Sequence, residues 1–106
     1  MNLKNRAFEL VQNDSGHASA ATVMRFHDTV DPQTAEYAGP NVTYGHVIVQ
    51  GNQMLYHAMD ASGKLAAGAA KVSLAEHDGT PQMTLEWRWL TGDGANGISV
   101  WREISA

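Results

Sequence analysis

Three tryptophans, a glutamate and a tyrosine are the residues of this chain best suited to holding a small molecule. Trp87, Trp89 and Trp101 lie close together in sequence, with Glu103 just beyond them. Folding the link Gly92–Gly97 back symmetrically sets Trp87 beside Trp101 and Trp89 beside Ser99, with Glu103 at one end of an aromatic wall. Such a wall offers apolar area for affinity and one polar group for orientation. Desolvation on the tryptophan face would raise the Glu103 carboxyl toward a range useful for proton transfer. Tyr56 completes the candidate set from a neighbouring strand. The competing reading is that the tryptophans fill a small core, with their N–H groups satisfied locally.

Other residue types point to weaker chemistry. His46 and His57 face each other in the hairpin reading given below, which puts their Cβ atoms about 5 Å apart. Two imidazoles at that distance are half of a zinc or nickel site. No third ligand follows at local spacing, since His27, Asp28 and His77 could join only through the fold. No metal and no cofactor are therefore expected, and the histidines read as a surface or interface pair. Acid–base candidates are Glu9, Glu86, Glu103, Tyr44, Tyr56 and the histidines. Glu86 and Arg88 share the strand face opposite the tryptophans, where an ion pair contributes little. Ser15-Gly16-His17 is no nucleophile elbow, so hydrolase chemistry has no sequence support.

Composition narrows the partners. The formal net charge is -4, and the seven Lys and Arg residues are scattered without a basic stripe. Phosphate-backbone binding lacks its electrostatic footprint, so neither nucleic acid nor an anionic membrane surface is expected. No apolar run approaches the ~20 residues of a membrane-spanning helix. The first six residues lack the apolar core of a signal peptide, and no cysteine is present. Disulfides and zinc–thiolate sites are excluded, and cytoplasmic residence in a bacterium is the expectation. A chain of 106 residues reads as one domain over 1–106 with a modest core.

The elements that must position these residues are strands. Met83, Leu85, Trp87 and Trp89 recur at a spacing of two, as on a strand with one buried face. Turn signals follow about every ten residues, as in an all-β sandwich or barrel. Strands are expected at Phe8–Asn13, Thr22–His27, around Tyr37, at Val42–Gln50, Gln53–Met59 and Leu65–Glu76, and in the two arms of the tryptophan hairpin. The segment 65–76 is Ala-rich and has a helical composition, but Gly68 and the alternation of Val72 and Leu74 favour a strand with close backbone approach. A two-residue turn at Gly51-Asn52 sets Val49 opposite Met54, Ile48 opposite Leu55, Val47 opposite Tyr56 and His46 opposite His57. Both faces of that hairpin then carry apolar groups, as do the two sides of Ile98–Ile104. With few helices to cover a sheet, a second subunit is expected to do so.

The chain is similar to a family of small bacterial proteins of about this length, some labelled "N-acetylglutamate synthase". The matching residues are Asn5-Arg6-x-Phe8, Val11-x-Asn13, Gly16, Thr22, Phe26, Tyr37-x-Gly39, Gly45, Tyr56, Gly63 and Gly68. They continue through Trp87-x-Trp89, Thr91-Gly92-Asp93, Gly97-x-Ser99-Val100 and Glu103-Ile104. The resemblance implies a compact all-β domain and transfers no catalytic residues. Leu85 stands where relatives have an acid, and Ala58 where they have a histidine, with His57 beside it. Coenzyme A chemistry in the usual acetyltransferase fold needs a glycine-rich strand–helix turn facing a pyrophosphate. Gly92–Gly97 instead links two strands, so the synthase label is rejected.

These readings converge on an all-β chain forming one up-and-down antiparallel barrel of about eight strands, similar to the lipocalin-like (calycin-like) barrels. The expected function is non-enzymatic binding of a small, partly apolar ligand by Trp87, Trp89, Trp101, Glu103 and Tyr56, in a homo-oligomer such as a dimer. Two alternatives stand beside it. One is a small isomerase, cyclase or hydrolase using Glu103 or a histidine; the other is a homo-oligomeric interaction module with a packed interior.

Overall fold

The computed structural model describes residues 1–13, 22–40 and 42–105. Eight strands follow one another: β1 (Ala7–Asn13), β2 (Val23–Phe26), β3 (Gln33–Ala38), β4 (Val42–Gln50), β5 (Gln53–Asp60), β6 (Leu65–His77), β7 (Thr80–Trp89) and β8 (Asn96–Ile104). Each pairs antiparallel with the next, and β8 pairs back onto β1, closing an up-and-down barrel. Closure gives each described strand a partner on both sides. The expected turn at Asp14–Gly16 and the Ser15-Gly16-His17 stretch lie outside the described residues.

The β4–β5 hairpin has the register that its Gly51-Asn52 turn dictates: Val49 pairs with Met54, Val47 with Tyr56 and His46 with His57. The segment 65–76 is strand throughout, part of β6. Its Gly68 explains why. A side chain there would collide with the Tyr56 ring and the Arg88 carbonyl oxygen. The bare backbone lets Tyr56 lie flat across β6, and that packing overrides the helical composition of the alanines.

The tryptophan hairpin differs from the symmetric folding. Trp87 pairs with Gly97, Leu85 with Ser99 and Met83 with Trp101. The connecting loop is Leu90–Ala95, closed by the Trp89 N–H donating to the Ala95 carbonyl at 2.8 Å, so Asn96 and Gly97 already belong to β8. Trp101 therefore lies opposite Met83, about 13 Å along β7 from the expected partner Trp87. The slip is even, so every side chain keeps its face while its height in the barrel changes.

Inside, one residue in two from each strand points to the axis. The half of the barrel beside the β4–β5 turn is solidly filled by Phe8, Phe26, Val49, Val72 and Met83, with Phe8 and Phe26 edge to face at 6.2 Å. Leu3, fully buried, plugs this end. Its N–H donates to the Gln33 side-chain carbonyl, while the Gln33 amide donates to the Met1 carbonyl at 3.1 Å. Burying Gln33 is tolerable because both ends of its amide are hydrogen-bonded.

Candidate functional site

At the other end, where β1–β2, β3–β4, β5–β6 and β7–β8 connect, the interior is not fully packed. A cavity of about 60 Å³ lies among Met24, Tyr37, Met54, Tyr56, Trp87 and Trp101, with Leu10, Asn13, Val47, Leu85, Trp89 and Ser99 completing its wall. Its size equals the liquid share of about two water molecules.

Two tyrosines give the cavity its polar character, each seated by a glycine on an adjacent strand. Tyr37 on β3 occupies the space that a side chain at Gly45 would need, as Tyr56 does at Gly68. The Tyr56 hydroxyl donates to the Arg88 carbonyl at 2.8 Å, and its ring meets Trp89 edge to face at 4.9 Å. The Tyr37 hydroxyl makes no hydrogen bond to a described residue. Burial pushes both hydroxyls well above the ordinary phenol pKa, reinforced at Tyr56 by its neighbour Tyr37. Both are therefore neutral groups able to donate a proton in a hydrogen bond. Trp101 satisfies its own N–H on the Ser99 hydroxyl at 2.9 Å.

Of the residues expected at a ligand site, Trp87, Trp89, Trp101 and Tyr56 meet around this one cavity. Glu103 does not. It points toward the axis at the plugged end, where its carboxylate takes two hydrogen bonds at 2.8 Å from the Arg6 guanidinium. That bidentate pairing lowers the Glu103 pKa, chiefly through the hydrogen bonds from Arg6. Burial alone would have raised it; the paired cation wins, because both side chains remain about a quarter exposed and little desolvation opposes the pairing. The Arg6 guanidinium also sits 5.6 Å from the Phe8 ring centroid, so the pair closes the base of the barrel.

Of the other acid–base candidates, Tyr56 alone of the described residues lines the cavity. Glu9 pairs with Arg102 on the outer wall, and Glu86 and Arg88 line an outer groove. His27, His46, His57 and His77 are absent from the cavity lining. Among the described residues no carboxylate and no imidazole faces the cavity. Tyr37, Asn13 and Ser99 are the polar groups that sequence reasoning did not assign to the cavity. For Tyr37 a signal existed in Gly45, a glycine inside a strand next to an aromatic-bearing strand, but the β3–β4 pairing was needed to connect the two.

A family model described as "Avidin-like protein" matches residues 1–104. No curated protein and no solved structure matches the chain.

Proposed function

Since the chain belongs to the avidin-like family, we propose that it binds a small, partly apolar molecule at the loop end of the barrel and catalyses no reaction. The observation that carries this reading is the Tyr37 hydroxyl, neutral and without a described protein partner beside an apolar cavity. A ligand's hydrogen-bond acceptor would engage that hydroxyl, an interaction worth about 0.5–1.5 kcal/mol. Trp87 and Trp101 supply the apolar flanks. The end of the ligand that enters the cavity is neutral in this reading, because among the described residues no charged side chain lines it.

Size constrains the ligand further. Pockets that enclose a whole drug-sized molecule measure about 300–1,000 Å³, several times the 60 Å³ present. The barrel accordingly takes one end of a molecule, or Met54 and the tryptophans turn to admit more. Against the enzyme alternative, Glu103 is held as the Arg6 partner, and none of the described histidines lines the cavity.

The homo-oligomeric module keeps support from the outer wall. Ile48, Leu55 and Ile98 are 43%, 59% and 44% exposed and border one groove together with Ala69 and Pro32. Apolar side chains so grouped favour coverage by a second copy, and assembly and ligand binding are compatible. The test is a tryptophan-fluorescence titration of the protein against biotin, the ligand associated with the family name, and a panel of neutral heterocyclic metabolites. A saturable change with at least one compound supports binding. A flat response to all of them leaves the packed module as the better reading.

A further inference from the structure

The outer wall carries a ring cluster that the cavity does not use. His46 on β4 and His57 on β5 are directly opposed in register, their rings stacked at 5.5 Å with 5° between planes. Tyr44, on the same outward face of β4, lies 4.5 Å from the His46 ring and 5.5 Å from that of His57. His57 is exposed and His46 partly so. The ring nitrogens of both histidines make no hydrogen bond to a described residue. The two imidazoles thus stand across a paired rung with their nitrogens unengaged, whereas His27 contacts Thr34 at 3.0 Å.

We propose that His46 and His57 chelate one divalent transition-metal ion on the outer wall, each through one imidazole nitrogen, with water in the remaining positions. Opposed Cβ atoms in an antiparallel pair are about 4.5–5.5 Å apart, a span that two metal–nitrogen bonds of about 2.0–2.1 Å can close. The stacked rings must turn toward a common point. Histidine χ2 is a soft torsion, and exposure leaves room for the movement. Tyr44 is a positioning residue: its ring against both imidazoles restricts their rotamers. Glu36, opposite His46 on β3, places negative charge beside the pair, partly offset by Arg25 opposite Glu36 on β2. No group of three ligating side chains occurs among the described residues, so the site is open and exchangeable, unlike a closed structural zinc centre. Imidazole ligands and the general order of divalent affinities make Cu(II) the tightest ion, with Ni(II) and Zn(II) weaker.

The test is calorimetric titration of the untagged protein with Cu(II), then Ni(II), near neutral pH. The expected result is one ion per chain, with His46→Gln and His57→Gln each weakening binding at least about tenfold, because the second ligand binds at high effective concentration. His27→Gln and His77→Gln should bind as the wild type does. Thermal unfolding without metal checks that the exposed variants remain folded. Copper paramagnetic resonance should report two nitrogen ligands. Undiminished affinity in His57→Gln, or a single nitrogen ligand, overturns the proposal. One ion per two chains with a rise in mass overturns the intrachain chelate. Loss of binding in Tyr44→Phe would make the phenol a ligand and overturn the two-imidazole assignment.

Discussion

Replacing Glu103 with Gln separates a ligand-binding carboxylate from a structural one. In the structure the carboxylate receives Arg6 Nε and Nη2 at 2.8 Å each, and both side chains are about three-quarters covered. A fully exposed pair contributes at most about 1 kcal/mol, whereas breaking a buried one costs about 3–5 kcal/mol. This pair lies between those limits, and glutamine keeps one acceptor for the guanidinium. Glu103→Gln should therefore lose about 1–2 kcal/mol at neutral pH. For a chain of this length that lowers Tm by ~4–12 °C. The pH dependence follows from the lowered pKa of Glu103. A carboxylate depressed in the folded state binds fewer protons than in the unfolded chain. The pair's stabilisation is thus present above the ordinary carboxylate range and is lost as pH falls through and below it. Glu103→Gln should lack that part of the acid transition. The assay is thermal unfolding by circular dichroism from neutral to acid pH, beside the ligand titration at neutral pH. An unchanged Tm combined with altered ligand selectivity would refute the placement of Glu103 at the plugged end.

Three further outcomes follow from the packing. Gly68→Ala places a methyl group into the Tyr56 ring and the Arg88 carbonyl, and should cost at least about 1–3 kcal/mol in urea unfolding; a neutral result would mean that Tyr56 does not lie across β6. Tyr56→Phe removes the donor to Arg88 and should cost about 1 kcal/mol, while Tyr56→Ala should cost about 3–5 kcal/mol. Should Tyr56→Ala cost under about 1 kcal/mol, the inward face of β5 is misassigned. Ile48→Glu introduces charge beside the exposed Leu55 and Ile98 of the outer groove and should shift the mass measured by light scattering toward the monomer; a wild type already monomeric at high micromolar concentration would contradict assembly through this face.

How much of this was legible in the sequence depended on whether a local residue fixed the geometry. Gly51-Asn52 specifies a two-residue turn, and a two-residue turn leaves one register, so the pairs from His46–His57 to Val49–Met54 could be written in advance, though not the shift between Val42 and Tyr44. Gly68 resolved β6 for the same kind of reason, since a glycine inside a strand marks a close approach. The β7–β8 loop offered no such constraint. Its glycines at 92, 94 and 97 allow several closures, and the symmetric one set Trp101 against Trp87 instead of Met83. Because the error was even, the face of every side chain survived while Glu103 moved from the end of the expected tryptophan wall to the base of the barrel. There it met Arg6, 97 positions away in sequence, a pairing that no local pattern announces. Tyr37 was visible as a strand residue, but its place beside Trp101 in one cavity required closure of β8 onto β1. Sites assembled by closure from strands distant in sequence are legible only once the barrel order is known.

The central claim is that a neutral ligand end meets the Tyr37 hydroxyl at the loop end of the barrel. The measurement that tests it most directly is the dissociation constant of the best-binding compound for wild type, Tyr37→Phe and Glu103→Gln, by calorimetry at neutral pH. Tyr37→Phe removes one hydrogen bond and should weaken binding about tenfold with little loss of stability, while folded Glu103→Gln binds as the wild type does. Equal affinity in Tyr37→Phe, together with weakened binding in Glu103→Gln, would contradict the account and return the site to the carboxylate.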